Sequence, residues 1–156
     1  LTIEPLANLP VVKDLVTDMA PFFDKWRDAG GPFVGREESG ATADFAMVEP
    51  DSPARRLADL SQECIGCGVC YSSCDVVNWN PDYLGPAALN RAWTLHNDVR
   101  DGGRAERLKA ISGSGGCQAC HSHQSCFELC PKHLNPTASI AGLKRATVKA
   151  ALKGEI

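Results

Sequence analysis

All eight cysteines of the chain fall in two short runs. The first holds Cys64, Cys67, Cys70 and Cys74, and the second holds Cys117, Cys120, Cys126 and Cys130. The first run has the spacing C-x2-C-x2-C-x3-C, a spacing used to ligate iron–sulfur clusters. Thiolates three residues apart lie on one tight turn and can grip three corners of one cube. The cysteine four residues further on has rotated away and serves a different centre. The chain therefore reads as a holder of two clusters that passes electrons between them.

Overlaying the runs places Cys64, Cys67, Cys70 and Cys74 on Cys120, His123, Cys126 and Cys130. This is an internal pseudo-repeat in which one thiolate has become an imidazole. Exchange of the last cysteine between runs predicts two ligand sets. Cys64, Cys67, Cys70 and Cys130 make a four-thiolate set suited to a [4Fe-4S] cluster. Cys74, Cys120 and Cys126 make a three-thiolate set suited to a [3Fe-4S] cluster. A second [4Fe-4S] cluster needs one more ligand, and His123 or Cys117 could supply it. Gly66 and Gly68 fit a backbone that wraps closely around a cluster, and Pro131 matches the Cys-Pro ending of such runs.

Two other chemistries use cysteines. Disulfides suit secreted proteins, but cysteines three apart on one turn are poorly placed to bridge, and no signal peptide is apparent. A zinc ribbon needs two C-x2-C pairs about 15–20 residues apart. Here 42 residues separate the runs, and each run carries cysteines that zinc has no use for.

The elements that must position these runs are mostly helical. The chain has 156 residues, enough for one domain. Nothing approaches the roughly 18 consecutive apolar residues of a membrane span. A net charge of −3 argues against a nucleic-acid partner. Residues 1–63 carry six basic and twelve acidic side chains, net −6, leaving the cysteine-bearing remainder at net +3. That half is the one suited to an anionic surface or an acidic partner.

Leu1 to Leu6 alternates apolar and polar, which predicts a short strand without a local partner. Pro10 is expected to open a helix whose stripe is Val12, Leu15, Val16, Met19, Phe22, Phe23 and Trp26, with a kink or split at Pro21. Residues 33–53 read as a long surface loop. Ala54 to Glu63 predicts a helix with Leu57 and Leu60 inward. Asp75 to Pro86 is turn-rich. Pro86 opens a clear helix with Leu89, Ala92, Trp93 and Val99 inward, stopped by Asp101-Gly102-Gly103. Arg104 to Ile111 is a shorter helix, and Ser112 to Gly116 a flexible lead into the second run. Asn135-Pro136 is an N-cap and first-turn proline. It starts a last helix to about Leu152, with Ile140, Leu143 and Ala151 along one side. The fold class is mostly α, an α-helical ferredoxin-like domain built around two iron–sulfur clusters.

Several stretches together carry a resemblance. They are Cys64-Ile65-Gly66-Cys67 through Cys74, Trp79-Asn80-Pro81, Gly85-Pro86-Ala87-Ala88, Arg100-Asp101, and Cys126 through Cys130-Pro131-Lys132-His133-Leu134-Asn135-Pro136. Leu9-Pro10-Val11-Val12-Lys13-Asp14-Leu15-Val16 belongs with them. The chain resembles the iron–sulfur subunit of succinate dehydrogenase and fumarate reductase. The resemblance implies that residues 9–156 are the helical dicluster domain and residues 1–8 the residual strand of a preceding ferredoxin domain. That domain's [2Fe-2S] cluster is expected outside this chain, because no cysteine precedes Cys64. It also implies an FAD-containing flavoprotein partner, haem b-bearing membrane anchor subunits, and quinone as the electron acceptor. The implied location is peripheral, on the cytoplasmic side of the bacterial inner membrane. Trp79 and His121 fall on the family's quinone-site positions.

This sequence departs from the family at Asp75, where proline is usual, at Val76, where ubiquinone-type members carry serine, and at His123. Trp79 leans toward succinate dehydrogenase, whereas Cys67-Gly68-Val69-Cys70-Tyr71 and Pro131-Lys132-His133 lean toward fumarate reductase. A dicluster relay of heterodisulfide-reductase type is the other reading, and His123 counts against it because such relays have a full cysteine set in both runs. The chain itself offers no Ser-His-Asp set or phosphate loop, so its expected task is to place and tune cofactors.

Overall fold

In the computed structural model, which describes residues 1–36 and 47–156, one helix sits at the centre of the packing. Helix α5 (Pro86–Asn97) contacts α1 (Ala20–Asp28), α2 (Pro53–Gln62), α6 (Arg104–Ala110) and α8 (Pro136–Leu152). It is buried on almost every side, as its run of small residues permits. Ala87, Ala88 and Ala92 let neighbours approach, and Leu89 and Leu95 fill the space between them. Pro86 occupies its first turn, where a missing N–H costs nothing.

The polar side chain at the heart of this packing is Asn90. Its Nδ2 donates to the Ser61 carbonyl at 3.3 Å, and its Oδ1 accepts from Ser139 Oγ at 2.9 Å. The Ser61 and Ser139 hydroxyls lie 3.0 Å apart. The three residues belong to α5, α2 and α8, so one satisfied network fixes the register of three helices. It also explains a departure from expectation. Leu57 and Leu60 do not face inward; they are 38% and 64% exposed, and Ala58 and Ser61 are buried in their place. Close approach to α5 needs small side chains on α2, and the hydrogen bonds of Ser61 select the face.

Short helices carry the cysteine runs: α3 (Val69–Ser72), α4 (Asp75–Trp79) and α7 (Ser125–Glu128). Helix α4 lies in the stretch expected to be turns only. The stretch from Ser112 to Gly116 is pinned, because Gly115 O accepts from Leu84 N at 2.8 Å and Ile111 O from Cys117 N at 2.9 Å. The helix expected from Pro10 is instead a hairpin of β1 (Val11–Lys13) and β2 (Val16–Thr17), with Asp14 in the left-handed region at its turn. β-Branched Val11, Val12, Val16 and Thr17 favour the extended form. The helix begins only at Ala20, whose N–H is capped by Asp18 Oδ1 at 2.9 Å. Pro21 is therefore in the first turn and no kink results. Val12, Leu15 and Val16 are exposed, whereas Phe22 is buried.

Leu1 to Leu6 carry no ladder bonds here. Val99 lies beyond the end of α5 and is exposed, and Ala150 takes the buried position expected of Ala151. The loop expected over 33–53 lies partly outside the described residues. Its first part is tied down: Val34 N donates to Asp101 Oδ2 at 3.1 Å, and Val34 O accepts from Gly102 N at 2.7 Å. Asp101 pairs with Arg107 at 2.6 and 3.0 Å, both side chains being buried. Arg107 also donates to the Gly30 and Pro32 carbonyls at 2.8 and 3.1 Å, joining α6 to the end of α1.

Candidate iron–sulfur centres

The pseudo-repeat of the sequence is a repeat of the backbone. In the first run Gly66 and Gly68 take positive φ, and α3 follows at once. At the equivalent places of the second run Ser122 and Gln124 take positive φ, and α7 follows. Glycine adopts this region freely, but other residues are strained there by about 1–2 kcal/mol each. The second run keeps the loop shape although two of its residues oppose it. A shape retained against local preference is held by its surroundings.

The two loops face α5 and α8 and enclose two cavities. Cys64, Cys67, Cys70 and Cys130 line one, with Phe22 and Asn90 beside them. Cys74, Cys120 and Cys126 line the other, together with Tyr83, His121 and His123. Each run thus sends its last cysteine into the cavity lined by the other run. Cys117 lines neither cavity. It is fully buried in the core, with its Sγ 3.8 Å from Thr147 Oγ1.

All eight cysteines are free thiols. The thiols surround their cavities and do not converge on a point: among the described residues no three Cys, His, Asp or Glu side chains could hold a single metal ion. Zinc requires four donors on one centre. A cluster is itself several atoms wide, and a ring of thiols around a cavity suits it.

Burial pushes the Cys70 thiol far up, and neighbouring Cys64, Cys126, Cys67 and Cys130 push it further. Burial likewise raises Cys64, Cys74 and Cys126. The counter-influences are local: the Gly66 amide and Arg91 at Cys64, the Val77 and Val76 amides at Cys74, and the Thr137 hydroxyl at Cys126. Packed thiolates repel each other in so dry a place, and a cationic iron core is the partner that makes them anionic outright.

Trp79 ends α4 and is 59% exposed. Its ring stands edge-on to His121 at 6.0 Å and to His123 at 6.1 Å, and the two imidazoles lie 6.1 Å apart. These three rings form an exposed aromatic cluster at the rim of the second cavity. Sequence motifs point to all three but not to Tyr83 or Thr137, which line the same cavity. Tyr83 lies in the turn-rich stretch and Thr137 in a helix start, where neither carries a motif signal.

Residues 63–135 match the 4Fe-4S dicluster domain family. A fumarate reductase iron-sulfur subunit of Haemophilus influenzae is 33% identical over 148 residues, 90% of this chain and 58% of that protein. The fumarate reductase iron-sulfur subunit of Escherichia coli O6:H1 is 35% identical over 142 residues, covering 90% and 56%. A mitochondrial succinate dehydrogenase [ubiquinone] iron-sulfur subunit of Oryza sativa subsp. japonica is 35% identical over 150 residues, covering 96% and 53%. The chain spans about half the length of these curated relatives. The fold is shared with a chain of the Mycobacterium smegmatis Sdh1 complex in the apo form, with a TM-score of 0.79 at 23% identity over 94% of this chain and 60% of that one. Residues 63–135 are thus similar to the 4Fe-4S dicluster domain family, and the chain is similar to iron–sulfur subunits of fumarate reductase and succinate dehydrogenase over somewhat more than half of their length.

Proposed function

We propose that the chain is the cluster-bearing part of an electron-transfer subunit in a succinate:quinone oxidoreductase. The observation that carries this reading is the sorting of seven cysteines into a four-thiol and a three-thiol cavity, with the last cysteine of each run exchanged. Cys64, Cys67, Cys70 and Cys130 hold a [4Fe-4S] cluster, and Cys74, Cys120 and Cys126 hold a [3Fe-4S] cluster. Cys117 lines neither cavity and is packed in the core, so a fourth ligand to the second cluster would be His123, which lines that cavity and meets Trp79 and His121 at its rim. When bound, such clusters carry single electrons.

The chain's own residues set the conditions. Fewer thiolates leave less negative charge, so the three-thiol cavity is the electron's destination. Its rim, with Trp79, His121 and His123, is the exposed aromatic and imidazole surface that a quinone headgroup fits. In this reading electrons arrive from an FAD-containing flavoprotein through a [2Fe-2S] cluster on a ferredoxin domain outside this chain. Residues 1–8 are the tail of that domain and residues 9–156 the dicluster domain. Haem b-bearing anchor subunits hold the assembly to the cytoplasmic side of a bacterial inner membrane. No helix among the described residues is long and apolar enough to cross a membrane. The fumarate reductase iron-sulfur subunits among the relatives favour a second reading, the same assembly run toward fumarate.

The test is ligand exchange read by EPR on anaerobically reconstituted protein. Cys74→Ser should disturb the trinuclear signal, although Cys74 belongs to the first run. Cys130→Ser should disturb the [4Fe-4S] signal, although it belongs to the second. If each substitution instead perturbs the cluster of its own run, the assignment is wrong.

A further inference from the structure

We propose that two hydroxyls, Tyr83 Oη and Thr137 Oγ1, donate hydrogen bonds to the Cys120 and Cys126 sulfurs and raise the reduction potential of the second cluster. The inference rests on the cluster reading above and adds to it the residues that set the downhill step.

Tyr83 is 1% exposed, and its ring packs in the core. Its hydroxyl is sealed from solvent and has no hydrogen-bond partner of normal geometry. A buried hydroxyl left bare is costly and calls for an explanation. Tyr83 lines the cavity with Cys74, Cys120 and Cys126, and the hydroxyl lies close to the Cys120 thiol. A phenol hydroxyl carries one O–H donor, and a cavity-lining sulfur is the acceptor beside it.

Thr137 makes the same approach from α8. Its Oγ1 lies 3.2 Å from Cys126 Sγ. A ligating sulfur has no proton and can only accept, so both hydroxyls must be donors. Among the described residues no side-chain hydroxyl bonds Cys64, Cys67, Cys70 or Cys130. The donors are confined to the three-thiol cavity. An added electron increases the negative charge on the sulfurs, and a donated hydrogen bond strengthens with that charge. The bond therefore favours the reduced state and raises the potential. No covalent bond changes, and each proton remains on its oxygen.

The experiment is an EPR-monitored redox titration of the whole chain, reconstituted with iron and sulfide under anaerobic conditions, with a mediator supplying one electron per cluster. Tyr83→Phe should lower the one-electron reduction constant of the second cluster roughly tenfold, about 59 mV downward. Thr137→Val should shift it in the same direction. The first cluster's midpoint should stay put in both variants. If Tyr83→Phe assembles its full iron and the second midpoint is unmoved or rises, the inference is overturned while the cluster reading stands. If Tyr83→Phe fails to load iron, Thr137→Val decides: an unmoved midpoint there overturns the proposal. A parent chain that binds no cluster at all overturns the reading and this inference together.

Discussion

Cys117 and the seven other cysteines differ in surroundings, not in residue type. Seven line a cavity and one lies inside the core against Thr147. Cys117→Ser should leave iron and acid-labile sulfide content unchanged and lower unfolding stability by about 1–2 kcal/mol, since it buries a more polar group. Iron analysis and urea denaturation check both halves. His96 gives a second prediction at this scale. It is buried against Trp93, with its Nε2 3.0 Å from Arg104 Nη2. Burial, with Arg104 and Arg107 adding, lowers its pKa from 6.5 to about 4. Between those values the unfolded chain takes up a proton that the folded chain refuses. Stability should therefore fall as pH drops from 6.5 toward 4. His96→Gln should flatten that slope, read as the difference in urea midpoint between variant and parent across the window.

Among the elements, the starts of α5 and α8 were legible, whereas the helix expected from Pro10 is a hairpin. Pro86 opens α5 and Asn135 caps α8, its Oδ1 accepting from Ala138 N at 2.9 Å, because caps and first-turn prolines act within one turn of chain. The inward faces were less legible. Leu57 and Leu60 look like a core stripe by periodicity, but the polar network of Asn90, Ser61 and Ser139 turns that stripe outward. The join between α6 and the end of α1 runs through Arg107, which donates to the Gly30 and Pro32 carbonyls and is paired with buried Asp101. Asp101→Asn leaves the Arg107 charge buried and uncompensated, and should cost about 3–5 kcal/mol. Chemical denaturation of the reconstituted protein measures this, and the parent's EPR line shapes should survive in the fraction that stays folded, because neither residue lines a cluster cavity.

For the molecule as a whole, the cavities are part of the core. Phe22, Tyr83, Ala87 and Ile140 belong both to the buried apolar cluster and to a cavity wall. In the proposed reading, clusters in those cavities tie residues 64–74 to residues 120–130, adding to the contact between α3 and α7. Just outside the two loops, Lys132 Nζ lies 3.1 Å from Glu63 Oε2 on the surface. Stripping the iron with a chelator under anaerobic conditions should therefore lower the thermal midpoint sharply and blur the cooperativity of unfolding. Calorimetry with and without iron tests it. A chain that unfolds identically in both states has a core independent of its cysteines.

By itself the sequence determined what is local or repeated: the spacing of the two runs, the pseudo-repeat, the mostly α character and the caps. Each depends on residues within one or two turns, or on a pattern that recurs, and both survive without knowledge of long-range contacts. The repeat even reappears in the backbone, where Ser122 and Gln124 are held in the conformation of Gly66 and Gly68. Only the tertiary structure decided what depends on residues far apart in the chain. It put Cys117 in the core and Val11 to Thr17 in a hairpin. It brought Trp79 to His121 and His123, and set the hydroxyls of Tyr83 and Thr137 beside the same three sulfurs. A residue's type states which bond it can make; packing alone states which neighbour is there to make it with.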